Sequence, residues 1–461
     1  WYARRMYIEG SPQYLYHLRH YGHPSKFGYK DLVQLWKAEK FEPEALMERY
    51  YKAGARYFIA QAMHHDHFFN YPSKLNRFNS MQAGPKKDII GLWKKAAEKY
   101  SMPFGFTEHL GATFSWWGVN KGADKYGPYA GVPYDGSDPA YRDFYLDNFE
   151  HYHKDKNSFP IETWNTSGYP DYIDTWYTSN PKHHEYWLNV MKEVIDLYTP
   201  DLIYTDGVLP FGNWGGKVTE THEADPVYKY GLEAAAYLYN KSIAAHGENR
   251  AVYTQKDRQP EIYEIGVLDV EKSQLPKISP KPWQVETCIG NWFYDARQVF
   301  KRPGHIIEML VDIISKNGTM LLNILQLPDG SLDDETGFIL DELGSWTSIA
   351  GEGVYNTRPW RVFGEGPTSV LIEGFKEVAA PWTEADFRFT SKGKTLYAFM
   401  MRTPEKRSAV IQSFREDEKI SAVKLLGVGA VPFSFNYGVL TIKLPEKMPT
   451  QYTNCFAIEL D

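Results

Sequence analysis

Through the first 350 or so residues, short apolar runs alternate with longer stretches whose apolar positions recur at helical spacing. The short runs read as buried strands, and most end in a polar residue. Arg56-Tyr57-Phe58-Ile59-Ala60-Gln61-Ala62-Met63 runs into His64-His65-Asp66-His67, and Pro103-Phe104-Gly105-Phe106-Thr107 ends at Glu108-His109. Residues 201–205 end at Asp206-Gly207, and Arg250-Ala251-Val252-Tyr253-Thr254 leads to Lys256. Ile265 to Val270 ends at Glu271, and Met320-Leu321-Leu322-Asn323-Ile324 is a further buried strand. Between them the spacing predicts helices over Pro43–Lys52, Asp88–Tyr100, Lys182–Tyr198, Asp225–His246, His305–Ser315 and about 335–349. Gly54 and Gly247 stand where a helix C-terminus favours a left-handed residue. Residues 1–30 read as loop with one short helix, and about 111–180 as a long aromatic, Gly- and Pro-rich loop of the kind that carries function.

Strands and helices in alternation predict a parallel sheet wound with helices. Polar residues at the ends of five or six strands favour closure into a (β/α)₈ barrel, whose chemistry sits at the C-terminal ends of its strands. After about residue 355 the texture changes to short runs broken by Gly, Pro, Asn and Lys, at 369–372, 395–400, 409–411 and 438–442. These predict an antiparallel β-sandwich. The expected division is a barrel domain over 1–352 and a sandwich over 353–461.

Composition narrows the class. The chain has 461 residues, 43% of them hydrophobic, which is enough for large cores. No apolar run reaches the length of a spanning helix, so a soluble protein is expected. The net charge of −7, with basic residues unclustered, argues against a nucleic-acid groove. Aromatics make up 16%, including 14 Trp and 34 Tyr; they fill cores, but they also stack on sugar rings. Cys288 and Cys455 are too few for a disulfide framework. The chain opens on Trp1, so a preceding segment, including any signal peptide, is expected to be missing.

Asp206 is the pivotal candidate: a carboxylate ending a strand is either catalytic or the opening of an Asp-Gly turn. With Glu271 it fits the two-carboxylate logic of glycoside hydrolysis, one acid attacking the anomeric carbon and the other protonating the leaving oxygen. Glu108 and Glu286 compete for the second role, and Asp269 is a weaker contender. The His64–His67 cluster could hold a metal, bond sugar hydroxyls, or tie neighbouring loops together. Successive strand residues face opposite ways, which counts against a shared metal.

Several stretches, taken together, resemble the α-L-fucosidases of glycoside hydrolase family 29. Trp1-Tyr2-Ala3-Arg4-Arg5-Met6-Tyr7 is similar to the segment after that family's first barrel strand, and Met63-His64-His65-Asp66 to its Lys-His-His-Asp-Gly-Phe motif, with Met63 and His67 at the Lys and Gly positions. Tyr204-Thr205-Asp206-Gly207 stands where the family has Trp-Phe-Asp-Gly. Val270-Glu271-Lys272, Pro282-Trp283-Gln284, Thr287-Cys288-Ile289-Gly290 and Trp292-Phe293-Tyr294 resemble the acid/base segment and the motif after it. Ser315-Lys316-Asn317-Gly318, Pro328-Asp329-Gly330, Tyr355-Asn356-Thr357-Arg358-Pro359-Trp360 and Gly364-Glu365-Gly366-Pro367 continue the likeness in order.

The resemblance implies a retaining exo-hydrolase of terminal α-L-fucose acting through a covalent glycosyl-enzyme. Asp206 would be the nucleophile and Glu271 the acid/base, with Glu286 still open as the acid. Trp1, His64, His65, Tyr204, Lys256 and Trp292 would line the sugar pocket, with Glu108, His109, Glu286 and Tyr294 beside it. Lys256 stands roughly where other members have Arg. The substrate would be a fucosylated oligosaccharide or glycoconjugate, with no cofactor, metal, nucleic acid or membrane involved, and a periplasmic or secreted location. The family's first strand, with its sugar-binding histidine, has no counterpart before Trp1. The first barrel strand is therefore expected to be missing, through a chain cut short rather than a seven-stranded barrel. Two other readings stay open: a metal-dependent sugar isomerase or hydrolase built on His64–His67, and a non-catalytic fucose-binding protein.

Overall fold

The computed structural model describes residues 1–146, 177–178, 180–212, 228–258, 260–370 and 377–461. The middle of the expected 111–180 loop, the start of the expected Asp225 helix and the end of the expected 369–372 strand lie outside the described residues. The backbone forms two compact units: Trp1–Met47, Tyr57–Gly266 and Pro328–Gly330 make the first, Glu48–Arg56, Val267–Leu327 and Ser331–Asp461 the second.

The first unit is built on four parallel strands, β1 (Phe58–Gln61), β2 (Phe104–Glu108), β3 (Leu202–Thr205) and β4 (Val252–Gln255). The outer helices are α1 (Pro12–His20), α2 (Pro43–Lys52), which spans the unit boundary, α3 (Ile89–Lys99), α4 (Pro181–Tyr198) and α5 (Lys229–His246). Their starts follow capping chemistry. The Asp88 carboxylate accepts from Gly91 N at 2.8 Å, and Asn180 Oδ1 accepts from Lys182 N at 3.0 Å ahead of Pro181. Along α4 the stripe Trp187, Val190, Met191, Val194 and Ile195 is buried, as its helical period requires. Strands β2 and β3 approach closely because Gly105 has no side chain; a Cβ there would meet the Leu202 carbonyl oxygen at 2.4 Å.

In the second unit β5 (Val267–Glu271), β6 (Trp283–Cys288) and β7 (Gly318–Asn323) run parallel, with helices α6 (Pro303–Ser315) and α7 (Asp334–Ala350). The same unit holds two antiparallel sheets, of order β13-β12-β16-β10-β9-β8 and β11-β15-β14. Their strands are β8 (Arg358–Glu365), β9 (Phe387–Lys392), β10 (Thr395–Met400), β11 (Ser408–Ile411), β12 (Ile420–Leu425), β13 (Gly429–Ala430), β14 (Phe433–Asn436), β15 (Val439–Lys443) and β16 (Asn454–Leu460). One core lies between these sheets, around Phe389, Ala398, Ile411, Leu425, Leu440 and Phe456. A second core joins Ile306, Val311, Leu343 and Trp346 of α6 and α7 to Phe399 and Ala457 of β10 and β16.

At that junction a buried charge is compensated from both sides. Asp312 of α6 is fully buried; its Oδ2 lies 2.5 Å from Lys316 Nζ and its Oδ1 2.6 Å from Arg388 Nε of β9. The Arg388 guanidinium lies over Trp382, 4.6 Å from the ring centroid. Removing one partner of a buried ion cluster leaves uncompensated charge. Arg388→Met is therefore expected to cost about 3 kcal/mol, read as a lowered denaturation midpoint, while a surface change such as Arg297→Met leaves that midpoint unmoved.

Candidate active site

Register builds the site. Gln61, Thr107, Tyr204 and Thr254 form one row across β1 to β4. Side chains two residues on share that row's face, so His109, Asp206 and Lys256 emerge together just past the strand ends. Backbone bonds carry the alignment beyond the strands: Asp206 N donates to Glu108 O at 3.3 Å, and Lys256 N to Gly207 O at 2.7 Å. Gly207, at φ +133°, lets the chain turn away directly after the carboxylate.

Asp206 is held by cations and donors. Lys256 Nζ lies 2.6 Å from Oδ1. His109 Nδ1 lies 3.1 Å and His65 Nε2 3.9 Å from Oδ2. Burial alone would raise the Asp206 pKa, but Lys256 first and then His109 hold it well below the ordinary carboxylate value. The acid is ionised at neutral pH. Beneath it the buried Tyr204 ring lies 5.8 Å from Lys256 Nζ.

His64 and His65 follow β1 and pack against His109, with ring centroids 4.2 Å (His64–His109) and 5.2 Å (His65–His109) apart. His65 Nδ1 donates to the His109 carbonyl at 2.7 Å, which fixes the proton on that nitrogen and turns Nε2 toward Asp206. Burial, then His109, pushes the His65 pKa down to about 3. Trp116, missed in the sequence, packs 5.3 Å from His65 and 6.1 Å from Trp1. The buried Arg4 lies over its ring at 5.7 Å. Trp116 sits in the aromatic loop, where no periodicity singles it out.

Two expectations differ from the structure. Asp66 and His67 do not join His64 and His65. Asp66 accepts from Tyr29 Oη at 2.6 Å, while His67 donates from Nδ1 to Phe144 O at 2.7 Å and bonds Tyr186 Oη at 2.8 Å. The chain has left the strand, and His67 adopts φ +57°, so the four residues splay apart. The histidines that do converge are His64, His65 and His109.

Glu108 is the second difference. It falls on the opposite pleat from His109 and is fully buried toward α4. Its carboxylate accepts from Trp187 Nε1 at 3.1 Å, Thr205 Oγ1 at 2.8 Å and Leu110 N at 2.9 Å. Burial raises its pKa, against these donors. It braces the strand end from behind and does not face the side that carries Asp206 and Lys256.

In the second unit, Glu271, the last residue of β5, is the register partner of Glu286 within β6, and their carboxylate oxygens lie within 4.8 Å. One row deeper, Asp269 pairs with Gln284, whose Nε2 donates at 3.0 Å; both are buried, so Asp269 is a brace for the pair above it. Lys272 Nζ lies over Trp292 at 4.6 Å, and Asn323 of β7 donates to Trp292 O at 3.1 Å. Tyr294 is half-buried on the same loop.

A family model described as alpha-L-fucosidase matches residues 1–352, and one described as alpha-L-fucosidase C-terminal domain matches 381–459. The chain belongs to the α-L-fucosidase family. It is 26% identical to human tissue alpha-L-fucosidase over 407 residues, 86% of this chain and 69% of that protein. Among solved structures it is similar to the Thermotoga maritima alpha-fucosidase in complex with fucose, at 22% identity and a TM-score of 0.68, covering 99% of this chain and 88% of that one. It is also similar to a family 29 enzyme from Bacteroides thetaiotaomicron trapped as a covalent intermediate, at 14% identity and a TM-score of 0.66, covering 100% and 92%. These likenesses give the fold: a fucosidase (β/α)₈-type barrel with a C-terminal β-sandwich. Seven of the barrel strands lie among the described residues.

Three buried histidines make the site's surroundings acid-sensitive. Burial pushes His65 and His183 down to about 3 and His67 to about 4. Their folded values lie below the unfolded one, about 6.5. The unfolded chain therefore takes up protons first, and stability is complete above about pH 6.5 and falls toward pH 4. The melting temperature is expected to drop through that window by the equivalent of more than one proton, and His67→Gln to make the drop shallower.

Proposed function

We propose that this α-L-fucosidase hydrolyses terminal α-L-fucose from glycans by double displacement, with Asp206 as nucleophile and Glu271 as acid/base. The observation that carries the reading is Asp206 just past the end of β3, with Lys256 on one oxygen and His109 on the other. In the first step Asp206 attacks the anomeric carbon as Glu271 protonates the departing glycosidic oxygen. In the second, Glu271 as a carboxylate takes a proton from water, which displaces Asp206 and releases fucose. Retention asks for roughly 5 to 5.5 Å between the two carboxyls. Strand ends on one face of a barrel are where such a pair would stand. Glu286, beside Glu271 on β6, is read as its partner in holding and recycling the proton.

His64 and His65 would bond sugar hydroxyls, while Trp1, Trp116 and Trp292 would pack on apolar faces, including the C6 methyl. The T. maritima relative bound to fucose supports a fucose substrate for this fold, and the trapped covalent intermediate supports the retaining step. Residues 353–461 are read as a supporting sandwich domain. A secreted or periplasmic enzyme fits the family, and among the described residues no helix is long and apolar enough to cross a membrane.

On nitrophenyl α-L-fucoside, Asp206→Ala and Glu271→Ala are expected to lose about 10³-fold or more in kcat, and Glu286→Ala less. Azide should rescue Asp206→Ala as the inverted fucosyl azide and Glu271→Ala as the retained one. If Glu286→Ala alone is rescued with retention, Glu286 is the acid/base. Near-normal turnover by Asp206→Ala removes it as the nucleophile.

Lys256 has its own signature. Losing its cation favours neutral Asp206, so in Lys256→Met the acidic limb of kcat/KM should move to higher pH by about one unit or more. An unmoved limb would mean that the lysine does not tune the nucleophile.

A further inference from the structure

The convergence of His64, His65 and His109 has no equivalent in the sequence motif that drew attention to the first two. Each offers one nitrogen, and the three nitrogens lie within 4.8 Å of one another. A divalent ion bonded tetrahedrally at about 2.0 to 2.1 Å sets its nitrogen ligands about 3.3 Å apart, so the rings would close in by up to ~1.5 Å on binding. His65 is oriented for such a bond. Its Nδ1 proton is committed to the His109 carbonyl, which leaves Nε2 as a lone pair. A backbone carbonyl on the far nitrogen is how metal-binding imidazoles are commonly fixed. Asp206 supplies negative charge beside the cluster, with Oδ2 3.1 Å from His109 Nδ1 and 3.9 Å from His65 Nε2. Lys256 occupies its other oxygen.

We propose that His64, His65 and His109 bind one divalent transition ion of the zinc or copper class, and that this ion and the sugar exclude each other. Three imidazoles select borderline ions over Mg²⁺ or Ca²⁺, which require oxygen ligands. His67 takes no part, since both its nitrogens are bonded elsewhere. The ion would occupy nitrogens that sugar hydroxyls would otherwise meet, so it acts as an inhibitor rather than a cofactor. That exclusion rests on the pocket assignment above; the binding of the ion does not.

The test is calorimetry on chelator-treated full-length protein titrated with ZnCl₂ and, separately, MgCl₂. One Zn²⁺ per chain and no saturable Mg²⁺ heat are expected. His109→Gln and His64→Gln, checked for unchanged melting, should weaken Zn²⁺ at least on the order of 10- to 100-fold. Co²⁺ should give visible bands of a nitrogen-ligated ion in the unaltered protein, a readout independent of any variant. Absence of saturable Zn²⁺ binding, or equal binding in both variants, overturns the site. For exclusion, L-fucose should weaken Zn²⁺ binding, and Zn²⁺ should raise KM while leaving kcat unchanged, reversibly with EDTA. Histidine-dependent Zn²⁺ binding with no effect of fucose overturns exclusion alone. If fucose produces no binding heat even without Zn²⁺, the pocket assignment falls as well and the ion site stands.

Discussion

A carboxylate withdrawn from water is stable only when charge or donors surround it, and the first unit is arranged to meet that demand at Asp206. Lys256 and His109 come from the strands on either side of β3, and reach the acid because all three occupy the same pleat. Shifting any of these strands by one residue would turn its side chain to the opposite face and leave the acid uncompensated. The electrostatics of Asp206 are therefore a register constraint, and the glycine at 105 and the turn at Gly207 serve that constraint directly.

The opposite face of the same strands explains why the row stays rigid. Glu108, Thr205 and Tyr253 form a continuous hydrogen-bonded chain behind the site, tied by Trp187 to α4. A buried carboxylate satisfied by several donors resists rearrangement, since losing any one donor strands a costly group. The second unit has a different brace: Asp269 and Gln284 pair on the same face as Glu271 and Glu286, one row deeper. In both units a buried acidic residue lies next to a partly buried one.

Much of this was legible in the chain. Strands ending at Glu108-His109, Asp206, Lys256 and Glu271 could be read because an apolar run stopped at a polar residue. Strand β6 escaped because Gln284 and Glu286 interrupt its apolar residues, giving alternation too short to stand out directly after Pro280 and Pro282. Strands β9, β12, β14 and β16 escaped for a related reason: their identity depends on partners far along the chain. Periodicity also could not tell Glu108 from His109. They are neighbours in sequence and opposites in space, and only the pleat decides which one reaches Asp206. Trp116 and Arg4 were invisible as site neighbours because a loop with no repeat gives no face to assign.

The Asp312–Lys316–Arg388 cluster bears on what the C-terminal region is for. The helix that carries Asp312 belongs to the segment the family model assigns to the catalytic domain, yet the guanidinium that neutralises it comes from the β-sheets. Excising residues after 352 would strip that cation away. It would also uncover Ile306, Leu343 and Trp346, which Phe399 and Ala457 otherwise cap. The sandwich is thus no detachable appendage: a barrel expressed without it would carry a wetted apolar stripe and a half-paired anion, and should be recovered as aggregate rather than as a minimal enzyme.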